Sequence, residues 1–544
     1  MAWLHTWVGL VVGWVLFFIF ITGTAGYVDD EVTRWMKPEL PVQSKPESIQ
    51  TERALQLALA RLQEVASGAK SWAITLPHQS LNPRAQQGLS VSWEEMPQDG
   101  QRVGRRGSES VDILTGQFKQ EIETRATGGG TGLYRMHYLL HYMPRTVGIM
   151  LVGACTMLML LAVISGVITH KKIFTDFFTF RPGKGQRSWL DAHTVVGVMS
   201  LPFFLMITYT GLVFFANDYM PAGRDVVYGT TQADRTAYFD ELLDRDPNRN
   251  QLSHLPLSIP VVPLEEFVRR GETQWGSDRV NSVRLVHPEN GVLEVELRPI
   301  AGSTVGGLTQ PLRFNGADGS PLTVGGNGNG NAARSTQRVL LSLHEGHFSD
   351  WWLRWLYFIS GLLGCAVIAT GLVHWTVKRR TQHLRGGASR FDAQGLRLVE
   401  VLNAGTIIGL PIAVAAYFWA NRLLPVGMAD RVDWEFHCLF IAWGWALLYA
   451  SVRPLKKAWL ELLWMAAAAY VFVPVVNALT TDKHLGITLP HALHQGDWVL
   501  AGFDLTMLGL AGVFAYAAFK VRSKWLGAVP QRGAESLSAA EAAT

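Results

Sequence analysis

Between Arg145 and His170 lie 24 residues without a single charged side chain. A run that long and that apolar meets the requirement for a membrane-spanning helix, about 20 residues. It is bounded by His141 on one side and by His170, Lys171 and Lys172 on the other. A close echo runs from His344 to His374 and ends in Lys378, Arg379 and Arg380. Both stretches open on Leu-His, and both reach their second histidine just after a Ser/Thr-Gly pair, Ser165-Gly166 and Thr370-Gly371. A chain built on two such helices is constrained to a membrane fold before any other residue is considered.

Further apolar windows lie near 3–28, 191–216, 398–420, 434–452, 458–479 and 498–520, which with 143–169 and 351–376 makes eight expected spans. The first lacks the basic n-region and small-residue cleavage site of a signal peptide, so it reads as an uncleaved anchor. Only 17% of the residues are charged, against about a quarter in soluble domains. The net charge of +4 excludes little, because the basic residues are segregated by side. Cys155, Cys365 and Cys438 all fall in apolar spans, which argues against a disulfide framework.

Lys171, Lys172, Arg181, Lys184 and Arg187 follow span two, Lys378 to Arg390 follow span four, and Arg453, Lys456 and Lys457 follow span six. The positive-inside rule then puts both termini in the cytoplasm and two long loops outside. The expected fold class is an all-α polytopic membrane protein with two small external α+β domains. Its divisions are a first helix (1–28), an external domain (29–140), spans two and three with their basic loop (141–216), a second external domain (217–343), span four (344–380), a linker (381–397), a four-helix module (398–521) and a tail expected to be disordered (522–544). Residues 51–66 read as a helix with Ser48 or Thr51 as cap. The runs SWAITL, GLSVSW and SVDILTG read as strands, and a hairpin is expected around Glu289-Asn290-Gly291. PLEEFVRRG reads as a further helix, and the glycine-rich stretch 325–334 as a flexible return to the membrane.

The chain repeats itself. Leu4-His5-Thr6-Trp7-Val8-Gly9 returns as Ala192-His193-Thr194-Val195-Val196-Gly197, and 17 residues after each histidine comes Thr22-Gly23 or Thr210-Gly211. Span one therefore matches span three, and span two matches span four, an arrangement that places shared sites between the halves. Sorted by side, His137, His141, His344 and His347 gather at the outer ends, and His5, His170, His193 and His374 at the inner ends. Neutral imidazoles from two helices at one depth suit the two faces of a haem iron, so the expectation is two haems, one near each surface. His141 with His344 is the expected outer pair. The simplest version strains on length, because His141 to His170 on one continuous helix spans about 43 Å in a hydrocarbon core of ~30 Å. Either His5 or His193 supplies deeper ligands, or the helix breaks near Pro144, or one histidine of each pair is an interfacial anchor. Gly9, Gly23, Gly197 and Gly211 read as helix-packing contacts that also make room for a flat ring.

These features resemble the PepSY-associated transmembrane family: the His-x-x-x-Gly opening with its downstream Thr-Gly, the segment Asp112-Ile113-Leu114-Thr115-Gly116, and the return at Leu140-His141. The chain is similar in particular to bacterial inner-membrane ferric-siderophore reductases of that family. The resemblance covers residues 1–380; Asn315 to Gly319 departs from the Asp-x-Thr-Gly turn. It implies b-type haem in the helix bundle, PepSY-like external domains in the periplasm, and reduction of a ferric siderophore or similar iron chelate there.

The last four spans carry no resemblance. His437, His484, His491 and His494 could add a site or be solvated, and Asp504 stands inside an apolar span, where a carboxylate is either paired or functional. No G-x-G-x-x-G follows a strand, so a nicotinamide site is not expected. The donor would be a membrane quinol or a separate reductase, with lipid as the surrounding partner and no nucleic acid. Two competing readings are a peptide-binding or protease-regulating module on an inert anchor, and a permease using Asp504.

Overall fold

The computed structural model describes residues 2–42, 50–78, 88–96, 104–111, 117–119, 122–170, 172–243, 257–288, 292–300, 311–322, 332–386 and 390–526. The segment 112–116, the hairpin turn at 289–291, Ser48 and most of the glycine-rich return lie outside these residues. Among the described residues, eight helices are long and apolar enough to cross a membrane, in register with the eight expected windows.

The first rod is α1 (Ala2–Ala25), continued through a short turn by α2 (Asp29–Trp35). There follow α3 (Thr51–Ala66), β1 (Ser71–Thr75), β2 (Leu89–Glu94), β3 (Arg106–Val111) and β4 (Phe118–Lys119). The chain returns through α4 (Gly129–Leu139), α5 (Arg145–Thr169), a short α6 (Ile173–Asp176) and α7 (Gln186–Phe214). Three short helices, α8 (Ala216–Tyr219), α9 (Ala222–Tyr228) and α10 (Gln232–Leu243), lead to α11 (Leu264–Trp275), β5 (Val280–Val286), β6 (Glu294–Pro299) and β7 (Leu312–Asn315). Helices α12 (Ala332–Glu345) and α13 (Trp351–Gly386) complete the second half. The C-terminal module holds α14 (Arg390–Ile407), α15 (Gly409–Leu423), α16 (Arg431–Val452), α17 (Leu455–Thr480), α18 (Leu485–Gln495) and α19 (Val499–Leu526). The expected linker 381–397 is thus largely helical, and residues 522–526 belong to α19 rather than to a tail.

The two external segments do not fold as two domains. Their strands form one antiparallel sheet of seven, in the order β4-β3-β2-β1-β5-β6-β7. At its centre Trp72 of β1 pairs with Leu285 of β5, and Ile74 with Val283. The reason is physical. Two small sheets would each expose an edge of unpaired backbone groups and would bury too little apolar surface alone. Joining β1 to β5 removes both edges and creates one core, in which Leu55 and Leu62 of α3 meet Phe267 of α11 and Val283 and Val295 of the sheet. The N-cap position of α3 is Gln50, without a side-chain cap, and Thr51 is the first residue of the helix rather than its cap. Strands β5 and β6 do pair as the expected hairpin.

The segment between α4 and α5 decides which histidines can meet. Helix α4 closes on Leu140, which adopts the left-handed conformation at φ 50°, and Tyr142 also has positive φ. Pro144 then starts α5 from its N-cap position, as expected where a proline ring bars helix in the residue before it. His137 therefore belongs to the last turns of α4, whereas His141 lies in the non-helical segment that follows. Among the expected alternatives, the broken helix is the one observed.

Candidate functional site

Two histidine pairs face each other inside the bundle formed by α1, α5, α7 and α13. At the end away from the sheet, His5 of α1 faces His193 of α7 with ring centres 6.2 Å apart. His5 Nδ1 lies 2.8 Å from the Ala162 carbonyl on α5, and His193 Nδ1 lies 2.9 Å from the Val367 carbonyl on α13. At the sheet end, His137 of α4 faces His344 of α12 with ring centres 6.1 Å apart. His137 Nδ1 lies 2.8 Å from the Ile19 carbonyl of α1, and His344 Nδ1 lies 3.0 Å from the Thr210 hydroxyl of α7. A carbonyl accepts only from an N–H, so His5, His193 and His137 carry the proton on Nδ1 and turn a bare Nε2 lone pair elsewhere. That is how a ligating imidazole is fixed in tautomer and orientation.

Each of the four rings also lies over a glycine. A Cβ on Gly23 would stand 2.7 Å from His137 Cε1, and one on Gly211 would stand 2.9 Å from His344 Cε1. Cβ atoms on Gly166 and Gly371 would each lie 3.1 Å from the Cε1 of His5 and His193 respectively. The pattern is the same in both halves: span one or three supplies the glycine at the sheet end, and span two or four supplies it at the far end. Gly23 and Gly211 are legible from the Thr-Gly repeat. Gly166 and Gly371 belong to the Ser/Thr-Gly pairs that precede His170 and His374, but the sequence does not show that they lie under His5 and His193.

The far pair opens on a cavity of about 320 Å³ that also meets His170, His374, Gly9 and Gly197. The sheet-end pair opens on one of about 540 Å³ that meets Tyr27, Tyr134, Arg135, Arg145 and His347. Both volumes fall within the range of small-molecule and cofactor sites, about 300–1,000 Å³. Burial pushes His137 below its ordinary value. For His344, burial and then His137 itself push the value down to about 3. Both rings are therefore neutral at physiological pH, the form that binds a metal.

The donor set can be tested against its group. Two imidazoles binding one metal from opposite sides at about 2 Å hold their ring centres about 6 Å apart, which both pairs match. Among the described residues no three His, Cys, Asp or Glu side chains come together as a metal site. The residues thus suit a metal that brings its own in-plane ligands, as haem iron does, and do not suit a bare ion. His374 also lines the wall of the far cavity, and His170 caps the end of α5 beside it.

The expected pairing of His141 with His344 is corrected. His141 lies across the break, stacked on Phe440 with ring centres 5.5 Å apart and also touching Phe436. The helix break separates it from the cavity that His137, one turn earlier, enters. His347 lines the same cavity but pairs with Glu345 at 3.2 Å.

The C-terminal candidates are held otherwise. His437 shares a hydrogen bond with the Tyr142 hydroxyl, His484 accepts from Gly486 N as the N-cap of α18, His491 is half-buried, and His494 is exposed. Asp504 is fully buried and accepts from Trp35 Nε1 at 2.9 Å and Asn477 Nδ2 at 3.2 Å. Arg422 lies over the Trp35 ring at 3.8 Å and donates to Asn477 Oδ1 and to the Trp35 carbonyl. Asp504 is therefore a paired carboxylate that docks the module onto α2. Arg34 with Asp497, and the Trp14 indole donating to Asn403 at 2.9 Å, extend that joint.

Comparison with known sequences agrees with this framework. The pattern that defines the PepSY-associated TM region matches residues 2–378, and the chain belongs to that family. It is also 25% identical over 417 residues, 71% of this chain and 91% of the relative, to the uncharacterized protein PA4219 of Pseudomonas aeruginosa. The family match ends close to the end of the bundle that holds both histidine pairs, and the C-terminal module lies beyond it.

Proposed function

We propose that this member of the PepSY-associated transmembrane family is a di-haem electron-transfer protein of the bacterial inner membrane that reduces a ferric siderophore or similar chelate on its sheet side. In this reading b-type haem supplies one-electron chemistry at each histidine pair. The observation that carries it is the recurrence of one arrangement at two depths: two imidazoles about 6 Å apart, each with its Nδ1 held in a hydrogen bond and a glycine beneath it.

His5 and His193 would hold the far haem, and His137 and His344 the sheet-end haem. The Ile19 carbonyl that anchors His137 lies 14 residues along α1 from His5, or about 21 Å of helix. Both sites therefore fit within the ~30 Å hydrocarbon core, which removes the length problem posed by His141 and His170. The basic loops support a far site at the cytoplasmic face and a sheet in the periplasm, where in this reading the seven strands take the part of the two PepSY-like domains. Arg135 and Arg145, both exposed and lining the sheet-end cavity, suit the carboxylates of b-type haem. Reduction matters at such a surface because oxygen ligands that suit hard ferric iron hold ferrous iron more weakly.

The test is direct. Haem-loaded protein in lipid nanodiscs is reduced, freed of reductant and mixed with a ferric hydroxamate, while the haem bands and a ferrous-specific chelator are followed. Reoxidation of haem with matching release of ferrous iron is expected; a reduced spectrum indifferent to the chelate would refute the reading.

A further inference from the structure

A third cavity, of about 430 Å³, lies between α1 and α13 on one side and α15, α17 and α19 of the C-terminal module on the other. Its walls are apolar and aromatic, including Phe17, Trp355, Phe358, Tyr470 and Phe503. Trp351, Leu362 and Val513 on its rim are exposed, so in a bilayer it opens sideways into lipid. Its charged lining, Glu31 with Arg354, stands at the sheet end. The Glu31 carboxylate is 8% exposed and pairs through one oxygen with Arg354, itself 7% exposed. The other oxygen, Oε2, is buried without a hydrogen-bond partner among the described residues, an unfavourable state for an acceptor unless a donor is supplied. The cavity also adjoins the sheet-end histidine site. Thr24 lines both cavities, Arg354 donates to the Tyr27 carbonyl at 3.0 Å, and the Tyr27 hydroxyl donates to the His344 carbonyl at 3.4 Å.

We propose that this cavity is the binding site of an isoprenoid quinol, whose tail lies along the aromatic groove and whose ring hydroxyl donates to Glu31 Oε2. The occupant must be apolar along its length and carry an O–H donor at one end. A phospholipid meets the first requirement, but its phosphate diester carries no O–H to donate to Glu31 Oε2, and Arg354 beside it is already paired. The proposal deepens the di-haem reading by naming its electron donor and rests on that reading for its purpose, though not for binding. Oxidation breaks both O–H bonds of the quinol and leaves the quinone. One proton would go to Glu31 Oε2 and the other to water on the sheet side, and the two electrons would be taken up, one each, by the haems that His137 with His344 and His5 with His193 would hold.

The experiment uses the full chain in nanodiscs of saturated phosphatidylcholine, with a redox-inert alkyl-hydroxyquinoline N-oxide as quinol analogue and its O-methyl ether as the same molecule without the donor. Isothermal calorimetry should find the ether bound about tenfold more weakly, the loss of one hydrogen bond to a charged group. Glu31→Gln should shrink that difference. Gly502→Phe should weaken both ligands, because a Cβ at Gly502 meets no heavy atom within 4 Å and the ring can enter the groove. Equal binding of the two ligands by the unaltered chain, or undiminished binding in Gly502→Phe, overturns the proposal. Displacement of both ligands alike by added anionic phospholipid would instead identify a lipid groove and also overturn it. Should the protein hold no haem, the di-haem reading falls while these titrations still decide the quinol site.

Discussion

Gly23→Ala probes the sheet-end site with a single methyl group. The new carbon would stand 2.7 Å from His137 Cε1 and closer still to Nδ1, where carbon atoms settle at about 3.5–4.0 Å. The ring must retreat by about 1 Å, and its hydrogen bond to the Ile19 carbonyl, now 2.8 Å, is stretched out of range. A buried donor without its acceptor costs about 1–3 kcal/mol, which weakens haem at this pair roughly 5- to 150-fold and leaves His5 and His193 untouched. Haem per polypeptide from the pyridine haemochromogen should fall toward one, and a potentiometric titration should lose one of two components. Gly444→Ala, where a Cβ meets nothing within 4 Å, is the control and should keep both. A Gly23→Ala protein with full haem content and both components unchanged would refute the idea that glycine positions the ligand.

The same geometry sets further expectations. His137→Ala or His344→Ala should remove one haem and His5→Ala or His193→Ala the other, whereas His141→Ala should remove neither, because its ring stacks on Phe440 outside both cavities; haem stoichiometry of the purified variants checks this. In haem-free protein the unfolded imidazole of His344 takes up a proton near 6.5 but the folded one only near about 3. The unfolded state then binds more protons, so His344 lowers stability as pH falls from about 6.5 toward 3 and leaves it level above; thermal melts of the unaltered chain and of His344→Phe should differ in slope only in that window. Arg431→Met breaks a pair with Glu435 in which neither side chain is exposed, so melting in detergent should show a loss of about 3–5 kcal/mol, partly recovered when Glu435→Leu is added.

Much of this architecture was legible because it depends on composition and period. Eight spans follow from uncharged runs, and the duplicated Thr-Gly spacing pointed to Gly23 and Gly211. The partner of His344 was not legible. Spacing alone cannot tell whether His137 or His141 reaches the cavity, since the answer depends on the left-handed Leu140 and on Pro144 ending one helix and starting another. The single sheet was hidden for a related reason. Pairing of β1 with β5 joins segments about 200 residues apart, which no local pattern records. Asp504 read as a functional carboxylate because its partners, Trp35, Asn477 and Arg422, come from three other helices. A long-range polar network of that kind stabilises a joint and looks in sequence like a site.

The central claim is that two histidine pairs each hold a haem. The reduced-minus-oxidised visible spectrum of the purified full chain, expressed with ample haem and read together with haem per polypeptide, tests it most directly. The account predicts sharp α and β bands of low-spin haem at two haems per chain, falling to one in His5→Ala and to one in His137→Ala. A colourless protein, or a haem spectrum that neither substitution alters, would contradict it.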